Sequence, residues 1–314
     1  MHYFNGMARF TTPPGSRYSK LAVQTRGFEL ALRAGIAAFL AGSAQLDAQE
    51  LSSAPMPASP SSVSATQADS ATLTPICTDR PSKSNYACTV DAGHFQYESD
   101  LANASSLRQG DEATTTWLIL NPTLKYGLTD NVDVEANMTA LEILRTQDTP
   151  GTRATLMGVS DLYLRVKYEF INLQTVVQAA LIPYLKAPTG RAGIGDGRVE
   201  GGLLLPINYE PNPLLTLTLM PEADAYPNSV GAGQHLNTSE VFTLAFNLPR
   251  NLTLYTELWA DWNFDPAGTI RQYSADLALA FGLTDYLQVD GGVNRGLNAA
   301  TPHVQGYLGL SQKF

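Results

Sequence analysis

The sequence predicts an all-β protein, a transmembrane antiparallel up-and-down β-barrel of about twelve strands. Three observations support this fold: strict alternation of apolar and polar residues, strand lengths that suit a bilayer, and connections that alternate between short and long. The clearest alternation runs from Asp161 to Phe170, where even-numbered residues are apolar or aromatic and odd-numbered residues carry a polar group. A membrane barrel turns the apolar face to lipid and the charged face to a wet interior, whereas a soluble sandwich reverses the two.

Alternating segments succeed one another from residue 92 to the end of the chain. Most span roughly 10 to 13 residues, which is long for a soluble strand and suits a strand that crosses a bilayer at a tilt of about 45°. The twelve strands are expected at about 92–102, 114–126, 131–143, 158–170, 173–187, 197–208, 214–225, 237–248, 251–263, 271–282, 285–293 and 303–314.

The connections between these strands alternate in length, as they do in bacterial outer-membrane barrels, whose short turns face the periplasm. Short turns are expected at 127–130, 171–172, 209–213, 249–250 and 283–284, and longer loops near 103–113, 144–157, 188–196, 226–236, 264–270 and 294–302. Because twelve is an even number, both chain ends are expected on the periplasmic side. The turn G-L-T-D occurs at 127–130 and again at 282–285, where its glycine is expected to supply unrestricted φ and its aspartate to cap the turn.

Aromatic residues near the strand ends favour a membrane barrel over a soluble sandwich, because aromatic girdles mark both edges of the lipid-facing band. They include Tyr126, Phe170 and Phe281. The chain closes on Phe314, which resembles the C-terminal signal recognised by the outer-membrane insertion machinery. We therefore expect that machinery and outer-membrane lipids as partners.

The first part of the chain predicts export. Residues 1–44 place five basic residues before and around a short apolar core at 34–40 and end in small residues, the organisation of a secretory signal peptide. A buried amphipathic helix over 28–46 is the alternative. Residues 45–75 are rich in Ser, Ala, Thr and Pro and are expected to form a flexible leader, so the barrel domain should comprise 76–314.

Charge and cysteine content fit an exported protein. The full chain has a net charge of −9, and removal of 1–44 takes away five basic residues and one acidic residue, leaving −13. Such a surface repels nucleic acid. Cys77 and Cys88 are the only cysteines. In an oxidising periplasm we expect them to form a disulfide, with two independent thiols as the alternative.

Three local strings resemble a known family. They are I-C-T-D-R-P-S-K-S-N-Y-A-C-T-V-D-A-G-H-F-Q-Y-E at 76–98, S-D-L-Y-L-R-V-K-Y at 160–168 and L-K-A-P-T-G at 185–190. These strings are similar to the transporter family labelled with the MetA pathway of phenol degradation, over essentially all of 76–314. The resemblance implies a twelve-stranded outer-membrane channel that takes up small, often hydrophobic or aromatic molecules, and it brings no established site residue with it.

Function is expected in the barrel interior, where inward charged residues can orient a polar solute or pair with one another and stiffen the wall. The candidates for the lumen lining are Glu98, Asp133, Glu135, Arg165, Lys167, Lys186, Arg198, Glu200, Glu222, Glu257, Asp261, Asp276 and Asp290. Aromatic residues that could stack with a solute, or simply fill volume, are Trp117, Tyr163, Tyr184, Tyr255 and Trp259.

Prolines fall inside predicted strands at Pro122, Pro183, Pro206 and Pro221, and each removes a ladder donor. We expect Pro183 and Pro206 to open a lateral gap through which an apolar solute leaves into the outer leaflet.

The residues point to no catalytic, metal or cofactor site. None of the four histidines belongs to an H-E-x-x-H or G-x-S-x-G arrangement. The expected function is therefore passive uptake of small, hydrophobic or monoaromatic molecules. A diffusion pore for small polar or cationic solutes is the main alternative, and a hydrolase embedded in the barrel ranks below both.

Overall fold

The computed structural model describes residues 73–148, 151–171 and 176–314. The expected signal peptide and nearly all of the expected leader lie outside these residues. No helix among the described residues is long and apolar enough to cross a membrane. The fifteen strand segments are β1 (Phe95–Gln109), β2 (Glu112–Thr129), β3 (Val132–Asn137), β4 (Leu141–Gln147), β5 (Arg153–Gly158), β6 (Leu162–Ile171), β7 (Val177–Ala187), β8 (Glu200–Leu204), β9 (Ile207–Asn212), β10 (Leu215–Pro227), β11 (Gln234–Leu248), β12 (Leu252–Asn263), β13 (Ile270–Thr284), β14 (Leu287–Gly296) and β15 (Val304–Lys313).

These segments build the predicted closed antiparallel barrel of twelve wall strands. Three wall strands consist of two segments each: β3 with β4, β5 with β6, and β8 with β9. β2 pairs with both β3 and β4, and β10 pairs with both β8 and β9. β1 pairs with β2 on one side and with β15 on the other, which closes the sheet and leaves no free edge.

The two faces of the wall have the predicted character. Val166 and Tyr168 on β6 are 41% and 45% exposed, whereas Arg165 and Lys167 between them are 3% and 1% exposed. Apolar side chains thus face outward, where a membrane would surround them, and charged side chains face the lumen. Aromatic pairs lie near the short-turn end of the barrel, among them Phe95 with Tyr126, whose ring centroids are 4.6 Å apart.

The connections expected near 103–113 and 144–157 are shorter than the sequence predicts, since β4 continues to Gln147 and β5 begins at Arg153. The long loop expected near 103–113 is mostly strand, because β1 continues to Gln109 and β2 begins at Glu112. The residues in this extension are mostly polar, among them Asn103, Ser105, Ser106, Arg108 and Gln109, so apolar alternation stops while strand pairing continues. A pattern that marks membrane-facing strands cannot detect such an extension.

The segment 75–91, which precedes β1, forms no strand and lies inside the barrel; we call it the plug segment. Its first limb enters at the short-turn end, where Ile76 N donates to Asp285 O at 2.7 Å. Its second limb returns to the same end, where Thr89 Oγ1 donates to Asp130 O at 2.9 Å. The expected disulfide between Cys77 and Cys88 is present and joins the two limbs.

Candidate functional site

Arg80 anchors the first limb of the plug segment. Its Nη1 lies 2.6 Å from Asp100 of β1, and its Nη2 lies 2.6 Å from Asp290 of β14. All three side chains are fully buried. Gly309 of β15 leaves the space that the guanidinium occupies, since a Cβ at that position would overlap it. A buried cation held by two carboxylates ties the plug segment to both sides of the barrel closure.

Asp79 makes the second anchor, on the wall across from Asp290. Its carboxylate lies 2.5 Å from Lys125 Nζ of β2 and 2.9 Å from Lys167 Nζ of β6. Burial opposes ionisation of Asp79, but the charges of Lys125 and Lys167 outweigh it and hold the pKa of this carboxyl well below its ordinary value. Lys125 also lies 2.6 Å from Glu98. The predicted lumen residues Glu98 and Lys167 thus serve to hold the plug segment.

The apex of the plug segment contacts β12 and β13. Ser82 donates to Glu257 of β12, and Lys83 pairs with Asp276 of β13. Lys83 Nζ also lies 5.2 Å from the ring centroid of Trp259, within cation–π range. Burial lowers the pKa of Lys83 more than Asp276 and Glu257 raise it.

The returning limb is hydrogen-bonded to two more strands. Ala87 N donates to Asn208 of β9 at 2.8 Å, and Val90 N donates to Asp133 of β3 at 3.0 Å. The backbone of Val90 and Asp91 lies against Gly127 so closely that no Cβ would fit there. Gly127 does not have positive φ. The expectation that its glycine serves turn conformation is therefore wrong, and close approach of the plug segment is the physical reason for glycine.

One side of the lumen is apolar. A cluster of buried side chains, which we call the apolar cluster, spans the wall from β6 to β12. Its members are Tyr163, Ile182, Tyr184, Leu204, Met220, Val241 and Trp259. Three of the predicted stacking residues, Tyr163, Tyr184 and Trp259, therefore come together, and Tyr255 lies half-buried on the Trp259 face of the same strand. The apex of the plug segment touches this cluster, since Asn85 N donates to Met220 Sδ.

The prolines weaken the wall behind the apolar cluster without opening it. Residues 205–206 interrupt the strand between β8 and β9, and the pairing of β6 with β7 skips the position of Pro183. Yet Leu205 N donates to Pro221 O at 3.0 Å, and Ala180 N donates to Pro206 O at 3.1 Å. The wall at Pro183 and Pro206 is thus closed in this conformation, and the lateral gap stays a prediction. The missing proline donors leave a seam with fewer ladder bonds, which we call the proline seam.

A polar group lies next to the apolar cluster, toward the long loops. Tyr184 donates to Asp224 at 2.7 Å, and Asn237 Nδ2 lies 3.2 Å from Asp224 and 2.8 Å from Asp261. Ser239 donates to Glu222 at 3.1 Å. The predicted lumen residues Glu222 and Asp261 are half-buried.

Lys186 organises a separate network at the long-loop side of β7. Its Nζ lies 3.0 Å from Glu200 of β8, 2.8 Å from Asp196 of the connecting loop and 3.5 Å from Asp161. The loop between β7 and β8 is therefore tied to the barrel mouth. The charged residues pair with one another here. Such pairing was the alternative to a role in orienting a solute.

One predicted stacking residue, Trp117, and one predicted lumen-lining residue, Arg198, do not face the lumen. Trp117 is 39% exposed and alternates with the buried Thr114 and Thr116, so it occupies the outer face of β2. The inward residues of β2 change at Leu120, where φ is 51°: Thr114 and Thr116 are buried before it, and Asn121 and Thr123 after it. Arg198 is exposed in the loop before β8, where its Nη1 donates to Asn228 O. The strand expected from 197 begins only at Glu200, because 188–199 is a loop rich in glycine.

The remaining lumen candidates are buried inside the barrel. Glu135 of β3 lies 3.5 Å from Lys167 and 3.7 Å from Arg165. No group of three or more His, Cys, Asp or Glu side chains that could hold a metal ion occurs in the described part of the chain. The plug segment is the functional element that the sequence analysis missed. Its polar residues and paired cysteines resembled a loop, and its partners are distant in sequence.

Residues 78–314 match the family described as "Putative MetA-pathway of phenol degradation". No curated protein sequence matches this chain. A crystal structure of an outer membrane channel from Pseudomonas putida F1 is similar with a TM-score of 0.62 and 15% identity, covering 74% of this chain and 100% of that chain.

Two further structures are less similar. The KdgM porin has a TM-score of 0.43 and 10% identity over 70% of this chain and 99% of its own. The CymD monoaromatic hydrocarbon channel has a TM-score of 0.39 and 8% identity over 71% of this chain and 88% of its own. The Pseudomonas structure supports the barrel fold, and the family match covers the plug segment from residue 78 onward as well as every strand. The chain belongs to the family described as "Putative MetA-pathway of phenol degradation".

Proposed function

We propose that this protein is an outer-membrane channel for passive uptake of small hydrophobic molecules, with monoaromatic compounds favoured. Both chain ends lie on the periplasmic side, lipids surround the wall, and the insertion machinery recognises the end at Phe314. The observation that carries the proposal is the apolar cluster inside the lumen. Aromatic and aliphatic side chains on an inward barrel face offer a surface for an apolar solute, not for a hydrated ion.

The plug segment supports the same proposal. It contacts strands around most of the barrel through buried ion pairs, from Asp100 of β1 to Asp290 of β14. An aqueous path through the lumen would have to displace these contacts. An apolar solute that enters from the long-loop end instead meets the apolar cluster, and the proline seam lies directly behind it. We propose that the solute leaves sideways when the seam opens transiently.

A diffusion pore for small polar or cationic solutes is the second candidate. Asp224 and Asp261 favour it, because both accept hydrogen bonds from Asn237 and neither pairs with a Lys or Arg among the described residues. A negative patch of this kind attracts cations. No covalent step is needed in either function. Turnover of a chromogenic ester by the purified barrel would reveal a hydrolase in its place.

Uptake by cells tests the proposal. Cells with an intact lipopolysaccharide layer, with and without the barrel, would be compared for initial uptake of radiolabelled toluene and of a hydrophilic solute of similar size, glycerol. The expected result is faster toluene uptake with the barrel and equal glycerol uptake. Faster glycerol uptake together with unchanged toluene uptake would favour the polar pore and overturn the proposal.

A further inference from the structure

Arg165 of β6 is a buried cation whose hydrogen-bonding groups are largely unused. Its side chain is 1% exposed, yet its Nε and Nη2 donate to no acceptor in the described part of the protein. Its ion-pair partner is Glu135, whose Oε2 lies 3.7 Å from Nη1, beyond hydrogen-bond distance. Leaving a buried charged donor unsatisfied is costly, so a group of this kind usually has an absent partner such as water or a ligand.

The two unused nitrogens determine which kind of acceptor fits Arg165. Nε and Nη2 lie on one edge of the guanidinium, and their N–H bonds run parallel. This edge matches the two oxygens of a carboxylate in a bidentate pair.

Glu135 alone does not neutralise the charge of Arg165. Its other carboxylate oxygen, Oε1, lies 3.5 Å from Lys167 and 3.7 Å from Lys125, so three cations share this one carboxylate. Lys167 and Lys125 are in turn bound to Asp79 of the plug segment. Of these three cations, Arg165 is the one that has no carboxylate closer than Glu135 among the described residues.

The apolar cluster begins next to Arg165. Tyr184 is the cross-strand partner of Arg165 in the pairing of β6 with β7, and Tyr163 precedes Arg165 by two residues on the same face. Side chains directly opposite on paired strands have Cβ atoms about 4.5–5.5 Å apart. The rings of Tyr163 and Tyr184 are themselves 6.0 Å apart. A ligand held by Arg165 would therefore meet two aromatic rings and, beyond them, the rest of the cluster.

We propose that Arg165 binds the carboxylate of a monoaromatic acid, whose ring lies against Tyr163 and Tyr184 at the edge of the apolar cluster. This inference rests on the proposed function, in that it names the solute class that the apolar lumen accepts. The carboxylate oxygens accept from Nε and Nη2 of Arg165. The Asp224 carboxylate lies on the far side of Tyr184, so the anion is oriented with its charged group toward β6 and its ring toward β7 and β8.

Equilibrium binding to the purified, detergent-solubilised barrel tests the proposal. Benzoate, benzyl alcohol and acetate would be titrated by calorimetry into the wild type, Arg165→Gln and Arg165→Lys. Arg108→Gln, an exposed arginine on β1, is the matched control for loss of one guanidinium. We expect benzoate to bind the wild type at least about tenfold more tightly than either other compound, because only benzoate combines the bidentate pair with a ring.

Arg165→Gln should remove that preference and leave benzyl alcohol binding within about twofold, and Arg108→Gln should change neither. Arg165→Lys keeps the charge but loses the fork, so it should bind benzoate about tenfold more weakly and decides the matter if the glutamine variant does not fold. Equal binding of benzoate and benzyl alcohol to the wild type, or unchanged benzoate binding in Arg165→Lys, would overturn the inference. Toluene uptake in cells tests the proposed function separately, so either can fail alone.

Discussion

At the scale of single residues, the plug segment is held by charges that have few substitutes. Asp79 is shared by Lys125 and Lys167, and Arg80 is shared by Asp100 and Asp290. Removing one partner of such a buried group costs about 3–5 kcal/mol, because it leaves the other charge uncompensated. Each anchor is therefore a place where one substitution should change how firmly the lumen is filled.

Asp79→Asn should release the plug segment. The change leaves Lys125 and Lys167 without their nearest carboxylate and shifts the docking equilibrium by about two to four orders of magnitude. Single-channel recordings should show larger and more frequent openings than in the wild type. Asp148→Asn, at an exposed position beyond β4, is the matched control and should behave like the wild type. Openings of wild-type size and frequency in Asp79→Asn would contradict this anchor.

The same carboxyl predicts how the lumen responds to pH. The pKa of Asp79 is held well below its ordinary value in the folded protein, so its contribution to docking is present above the unfolded pKa of about 3.9. It is lost as the pH falls through the lower folded value. Conductance should therefore stay constant from about pH 7 to about pH 4 and rise only below that range. A rise centred near pH 6 would show that another group controls docking.

Gly127→Ala should also displace the plug segment, for a steric reason. A Cβ at this position would overlap the backbone of Val90 and Asp91, and backbone cannot rotate away as a side chain does. Gly282→Ala is the matched control, since the plug segment contacts that G-L-T-D turn through Asp285 and not through Gly282, where a Cβ would find ordinary contacts. Trypsin cleavage after Lys83, buried in the wild type, should appear in Gly127→Ala alone. Equal protection in both variants would contradict the close approach.

At the scale of elements, the wall strands and the plug segment differ in how well the sequence predicts them. Strands such as β6 are marked by their own residues, because alternation depends only on which face meets lipid. The plug segment has no such periodicity. Asp79 and Arg80 are neighbours in sequence, yet they bind Lys125, Lys167, Asp100 and Asp290, which lie on four different strands. Only the closed barrel brings these partners together.

The site was predictable to a similar extent. Alternation correctly placed Arg165, Glu257 and Tyr184 inside the lumen. It failed at Trp117, because the inward residues of β2 change from even-numbered to odd-numbered at Leu120, and at Arg198, because β8 begins only at Glu200. Ile182, Met220 and Val241 carried no signal of their own. In the sequence, an apolar residue on an inward face looks like a break in the alternation. It is recognised as part of an apolar cluster only when its neighbours on several other strands are known.

The disulfide should stabilise the plug segment as an element. A bond that closes a short loop contributes about 3 kcal/mol by restricting the undocked chain. The double variant Cys77→Ser, Cys88→Ser should therefore keep the barrel fold and show more frequent openings than the wild type. Resistance of the unheated band to SDS reports the fold, and planar bilayer recordings report the openings. Identical recordings would mean that the ion pairs alone fix the plug segment.

The proline seam yields a prediction at the same scale. Replacing Pro183 and Pro206 by Val restores two N–H donors and should strengthen the ladder where β6 to β9 meet. If solutes leave through this seam, toluene uptake by cells should fall while the barrel remains folded. Replacing Pro213, in the short turn between β9 and β10, is the control. Unchanged toluene uptake in the Pro183 and Pro206 variant would remove support for lateral exit.

At the scale of the whole molecule, the barrel separates two environments within one lumen. Most buried ion pairs of the plug segment are made with β1, β2, β6, β13 and β14, and the apolar cluster, which the apex of the plug segment touches, lines the side from β6 to β12. Few polar groups along the lumen would therefore remain hydrated. We propose that the resting lumen is closed to ions and that the apolar cluster receives apolar solutes.

Single-channel conductance of the purified wild-type barrel in planar bilayers tests this claim most directly, with cation and anion permeability compared. We expect a folded, heat-modifiable barrel to conduct little, in brief openings, because the plug segment occupies the lumen. A steady cation-selective conductance from the same preparation would contradict it. That result would mean that Asp224 and Asp261 line an open aqueous pore.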